Sequence, residues 1–177
     1  FTLDKSGYGT LQEKNLALYT MATFAGEGVR GNFGLRYIST DVESDYYAFS
    51  PTGTYADGLS TDKASYNDVL PSVNIAFDLA SDLILRTSAS QVISRPNYAD
   101  LFATSKLPGL NDGTPGNEKK VTGSVNLQPF KASQADVSLE WYFSGEGLFA
   151  ATYFIKDVSS FISTRESLNQ QIGIEDP

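Results

Sequence analysis

The chain has 177 residues, with 13 basic against 21 acidic side chains and a formal net charge of -8. That length bounds one domain-sized unit. At 41% hydrophobic and 19% charged residues the chain is too apolar for a disordered acidic tail and too acidic for a nucleic-acid binder. It contains neither Cys nor His, which removes disulfide frameworks, zinc sites, thiol nucleophiles and imidazole bases together. No catalytic residue, cofactor or metal site is assigned, and an enzyme is not expected. No run of eighteen apolar residues marks a transmembrane helix, and Phe1 opens no signal-peptide pattern.

Aromatic residues make up 12%, almost all Phe and Tyr, and favour strands. Six runs of period two follow. The first, 15–25, puts Leu16, Leu18, Ala22 and Phe24 on one parity. The second starts at Val29, with Val29, Phe33, Leu35 and Tyr37 opposite Arg30, Asn32, Arg36 and Thr40. In the third, Val69, Val73, Ile75, Phe77 and Leu79 alternate with Asp68, Ser72, Asn74 and Asp78, and Pro71 is expected near the start of the strand. The fourth covers 83–94, although Ile84 and Val92 break its alternation. The fifth is the sharpest: Ala135, Val137, Leu139, Trp141 and Phe143 alternate with Gln134, Asp136, Ser138, Glu140 and Tyr142. The sixth, 148–158, sets Phe149, Ala151, Tyr153 and Ile155 against Ala150, Thr152 and Lys156, with Phe154 out of place.

Three connections are tight turns, at Gly26-Glu27-Gly28, Ala80-Ser81-Asp82 and Ser144-Gly145-Glu146-Gly147, each read as a hairpin. Between them lie long polar stretches, 41–64 and 95–128, with a third after Ile162. Compact soluble domains rarely alternate short and long structureless connections, whereas transmembrane β-barrels do so routinely. Runs of about 9 to 11 residues also suit tilted membrane strands. Six strands fall short of the eight of the smallest bacterial barrels, so the expected architecture is a piece of a larger antiparallel barrel. The ends, Phe1 and Ile174-Glu175-Asp176-Pro177, fit that expectation.

Other motifs reduce to structure. Gly26-Glu27-Gly28-Val29-Arg30-Gly31 and Gly145-Glu146-Gly147-Leu148-Phe149-Ala150 match a dinucleotide-binding glycine pattern, but strands rather than helices follow them. Asp41, Glu43 and Asp45 share a parity that suits a hard cation if the strand continues, although a solvated acidic loop is the stronger reading. Glu118 stands where a phosphate-binding loop needs glycine before Lys119. Arg30, Arg36, Arg86, Asp136, Glu140 and Lys156 share the wet parity, which in a barrel is the lumen, and cross-strand pairing explains them before ligand contact does. Trp141, Tyr142 and Phe143, beside a short turn, suit an interfacial aromatic belt.

Three segments resemble the barrel of TonB-dependent outer-membrane receptors. Asp68-Val69-Leu70-Pro71-Ser72-Val73-Asn74 followed by Leu83-Ile84-Leu85-Arg86 and Ser94-Arg95-Pro96-Asn97-Tyr98-Ala99-Asp100-Leu101 is similar to a hairpin and loop of that family, with Arg95-Pro96 its most recognisable pair. Asn126-Leu127-Gln128-Pro129 leading into Leu139-Glu140-Trp141-Tyr142-Phe143 resembles a family strand, although Ser124-Val125 replaces the usual Asn-Pro. Tyr153-Phe154-Ile155-Lys156-Asp157-Val158 with Phe161-Ile162 resembles the strand end that follows.

The resemblance implies that 1–177 is part of the β-barrel domain, from a barrel of about 22 strands whose plug and remaining strands lie outside this chain. It further implies the outer membrane of a Gram-negative bacterium as location and the lipid bilayer as surroundings. TonB would act as a partner through the plug, and the ligand would be an iron chelate, cobalamin or an oligosaccharide. Aromatic faces stack on sugars and flat chelates, so Tyr46, Tyr47, Tyr98 and Phe102, with Phe49 and Tyr55 nearby, are the candidate ligand contacts; loop packing explains them equally well. Two other readings stay open: a complete eight-strand barrel of adhesin type, with extra strands near Gly7 and after Ile162, and a soluble β-sandwich of carbohydrate-binding type.

Overall fold

A computed structural model describes residues 4–50, 53–109, 112–145, 147–159, 163 and 165–167. Six strands form one antiparallel sheet in the order β1-β2-β3-β4-β7-β8. They are β1 (Gly9–Gly26), β2 (Val29–Phe49), β3 (Tyr55–Ala80), β4 (Leu83–Ser94), β7 (Phe130–Ser144) and β8 (Gly147–Val158). Between β4 and β7 lie the short helix α1 (Tyr98–Leu101) and a two-stranded ribbon, β5 (Ser105–Lys106) with β6 (Val121–Thr122). The six strands expected from sequence are present, Gly26 pairs with Val29 and Ala80 with Leu83 across the first two expected turns, and at the third, where Glu146 lies outside the described residues, Ser144 pairs with Gly147. At the first turn Gly28 takes φ 70°, a left-handed conformation that is costly for residues with a Cβ, and its carbonyl accepts from the Asp78 amide at 2.8 Å.

Register turns the period-two pattern into two continuous faces. One row runs Ala22, Phe33, Val73, Ala89, Ala135 and Ile155 across all six strands. With its neighbouring rows it makes an apolar face whose large side chains, Leu18, Phe33, Leu35, Val69, Leu139 and Tyr153 among them, are exposed. The opposite face is polar and internally paired. Arg30 meets Asp78, Asn74 donates to Asn32 at 3.0 Å, and Arg86 reaches both carboxylate oxygens of Glu140 at 2.9 and 3.0 Å. Ser88 also donates to Asp136, and Thr152 to Ser138 at 2.9 Å.

No second sheet covers the apolar face among the described residues, which removes the sandwich reading. The sheet is open, with β1 and β8 at its edges. The strand sought near Gly7 for an eight-strand barrel is not formed, since β1 starts at Gly9; most residues after Ile162 lie outside the described ones.

Two sequence expectations fail. The stretch 41–64 is largely not a loop: β2 continues to Phe49 and β3 begins at Tyr55, so a paired hairpin extends far beyond the apolar belt. Its signal was weak because polar residues occupy both faces there, leaving no contrast in hydrophobicity to read. Pro71 is also not near a strand start but deep within β3, opposite Leu35. The ladder between β3 and β4 ends at Ser72, next to this proline, which has no N–H to contribute.

Beyond that point the sheet carries a small conventional core. Residues 95–109 and 112–129 fold back over the polar-parity face of the extended hairpin. Leu101 and Val125 pack there with Val42 and Tyr66. Thr40 and Ser44, on the same parity of β2, are fully buried. A Cβ at Gly9 would come within 2.5 Å of Thr104, so only glycine lets this segment lie so close to β1.

Candidate functional site

The candidate site is the mouth formed by the β1-β2-β3 extension and the folded-back segment. Arg95, directly after β4, turns the chain inward and crosses to β1. Its Nη2 donates to Asn15 Oδ1 at 2.9 Å and its Nε lies 3.4 Å from Glu13 Oε1. Asn15 also accepts from Thr40 Oγ1 at 2.7 Å and donates to Glu13 at 2.6 Å. Pro96, next in sequence, is buried. The pair that carried the family resemblance is therefore the hinge and anchor of the inward segment. Further along, the Ala103 amide donates to Ser44 Oγ at 3.3 Å. Lys120 Nζ donates to the Phe49 carbonyl at 3.2 Å and stands 5.5 Å from the centre of the Phe49 ring.

A second anchor lies at the seam where the β3–β4 ladder ends. The Asp68 carboxylate is 1% exposed and accepts no well-aligned hydrogen bond; the Lys131 ammonium at 2.6 Å compensates it. A small cavity of about 100 Å³ adjoins this pair, lined by Asp68, Leu70, Gln91, Ile93 and Lys131 among others.

The aromatic candidates separate. Tyr46 and Tyr47 are neighbours on β2 and point to opposite faces. Tyr46 shares the inward parity of Val42 and Ser44, and its hydroxyl donates to Asp62 at 3.2 Å. Burial, aided by the Asp62 charge, raises its pKa. Tyr47 shares the outward parity, where it meets the Tyr8 ring at 5.7 Å and the Lys5 ammonium at 5.3 Å. Tyr98, on α1, is 61% exposed, while Phe102 packs toward Gly9. Phe49 and Tyr55 stack edge to face at 4.8 Å as the last pair of the hairpin ladder, and burial raises the Tyr55 pKa. Tyr46 thus faces the inward parity of β2, and Tyr98 stands exposed on α1.

Asp41, Glu43 and Asp45 do project to one side, since the strand continues. Glu43 is held by Lys63 at 2.9 Å, and Asp45 by Thr61 at 2.6 Å and Thr10 at 3.0 Å. Hydrogen bonds from Thr61, then Thr10, lower the Asp45 pKa. No carboxylate cluster able to hold a metal ion occurs among the described residues.

A hollow of about 910 Å³ lies on the apolar face and is lined by residues of all six strands, including Phe33, Leu35, Pro71, Val73 and Ile155. A site for a polar cargo does not belong there. A face this greasy, alternating with a charged and internally paired one, is the arrangement of a barrel wall in lipid.

The sequence model of the family described as TonB dependent receptor-like, beta-barrel matches residues 3–174. The chain belongs to this family, and so is a β-barrel segment of an outer-membrane receptor of Gram-negative type. No curated protein matches it. The apolar face is then the lipid face, the polar face the lumenal wall, and the long hairpin stands at the extracellular end.

Proposed function

We propose that this segment forms the wall and ligand-capturing mouth of a receptor for TonB-coupled uptake of a scarce nutrient, an iron chelate, cobalamin or an oligosaccharide. Residues 1–177 are then part of the barrel domain, and the plug that engages TonB lies outside this chain. The observation that carries the proposal is the anchored inward segment. Held at Arg95 and again at Lys120, it lines the lumenal side of the mouth and keeps Tyr98 exposed on an ordered support. A receptor gains affinity when its contacts are ordered before binding.

The test is uptake in a strain lacking the receptor, complemented with the full-length protein and limited in turn for iron, cobalamin or oligosaccharide. Growth should be rescued under one limitation, should require TonB, and should fall with Tyr98→Ala. Failure under every limitation would remove the nutrient-uptake reading.

A further inference from the structure

We propose that the seam between β3 and β4 is a hinge line along which the β1-β2-β3 extension swings away from β4, β7 and β8, and that the Asp68–Lys131 ion pair is the clasp that holds the seam shut. This inference goes beyond the capture role proposed above and does not depend on which ligand is carried.

Register splits the sheet at one rung. Below it, β3 and β4 pair from Ala80 and Leu83 up to Ser72 and Ser90. Above it, β2 and β3 pair on to Phe49 and Tyr55, and β4 and β7 to Ser94 and Phe130, but among the described residues no ladder joins β3 to β4. Pro71, the first residue above the rung on β3, has no N–H with which to extend it. Two separately laddered blocks stand side by side there. Each can keep its own ladder while it moves against the other, which is the condition for hinge motion.

A charge pair crosses the gap. Lys131, on β7 opposite Ile93, reaches past β4 to Asp68 on β3 at 2.6 Å. The Asp68 side chain is nearly fully buried, and neither of its carboxylate oxygens accepts a well-aligned hydrogen bond among the described residues. A carboxylate buried without hydrogen bonds is far better solvated in water, so opening the seam would return its hydration. The Lys131 ammonium opposes that gain. The cavity of about 100 Å³ beside Asp68, Leu70, Gln91 and Ile93 shows that close packing does not seal the seam in its place.

The inward segment travels with the extension. It leaves the sheet at Ser94 and rejoins it at Phe130, a cross-strand pair. Its body docks on the extension, through Arg95 to Asn15, the Ala103 amide to Ser44 and the Lys120 ammonium to the Phe49 carbonyl. Segment and extension therefore form one body. It meets the β4-β7-β8 block through the chain crossings at Ser94–Arg95 and Pro129–Phe130 and through the Asp68–Lys131 pair. Hinges need only a few residues at element ends to change φ and ψ, and both crossings lie at element ends. An outward swing would widen the mouth on the side of the seam.

The test uses the full-length receptor in vesicles, with any other cysteines replaced and paired nitroxide labels read by pulsed electron spin resonance. Leu59→Cys with Ile155→Cys spans the seam, and Leu59→Cys with Lys14→Cys lies within the extension; all three positions are exposed. Lys131→Gln should raise the population of longer distances across the seam at least about tenfold, because it leaves a buried charge uncompensated. Asp68→Asn alone should open the seam far less, since Lys131, 49% exposed, can turn to water. Adding Asp68→Asn to Lys131→Gln should reverse most of the rise, which a merely structural lysine would not allow. Distances within the extension should not change. Unchanged distances across the seam in Lys131→Gln, full opening in Asp68→Asn, no reversal in the double variant, or an equal change within the extension would overturn the proposal.

Discussion

The lower sheet and the upper extension are built from the same strands but held together by different physics. In the lower sheet the apolar side chains point outward and the inward face is filled with paired polar groups such as Arg86 and Glu140. Its hydrophobic stabilisation depends on lipid. In the upper extension the inward face is the dry one, with Val42, Tyr66, Leu101 and Val125 gathered beneath a folded segment. Three strands that leave the membrane gain a water-soluble type of core, and the parity that was wet below becomes buried above. A single strand therefore changes the meaning of its alternation partway along its length, near Ile38 on β2.

Core substitutions should sharpen that comparison most. Leu101→Ala, at 2% exposure, should cost about 2 to 5 kcal/mol locally, read as faster proteolysis within 95–129 while the membrane-embedded strands stay protected. Collapse of the whole receptor would show that the two regions are one cooperative unit. Leu35→Arg tests the opposite region. Placed on the lipid face, it should cost about 2 to 4 kcal/mol in refolding into vesicles, and the absence of a penalty would break the face assignment.

Arg95→Ala should leave the Glu13 carboxylate, 7% exposed, without its cation, at about 1 to 3 kcal/mol, again read in protease sensitivity of the inward segment. Arg86→Ala, on the lumenal wall where the pair is partly solvated, should cost about 1 kcal/mol or less. A larger loss there would mean that the lumenal face is drier than the geometry indicates.

The smallest effect is a titration. The Asp45 carboxyl is lowered by Thr61 and Thr10 in the folded state. Its stabilising contribution is present above the unfolded pKa and is lost as pH falls through the folded one. Thr61→Val should move the Asp45 titration upward when followed by carboxyl NMR, with little change near neutral pH.

Much of this was readable in advance. Below the membrane boundary each strand meets lipid on one side and water on the other, so a period of two is written into Phe33, Leu35 and Tyr37 against Arg30, Asn32 and Arg36. Tight turns and strand number followed from the same contrast. The Arg95-Pro96 pair carried the family, but nothing local revealed that Arg95 reaches Glu13 across the mouth.

The candidate site was harder, because Tyr46 and Tyr47 look equivalent in a polar stretch that sequence alone renders as loop. What the amino-acid order determined by itself was the alternating belt, since lipid and water impose opposite demands on successive residues. Tertiary structure alone decided the upper hairpin, the inward segment and the opposite facing of the two tyrosines. Those depend on contacts between residues distant along the chain, where both faces are polar enough that local periodicity carries no preference.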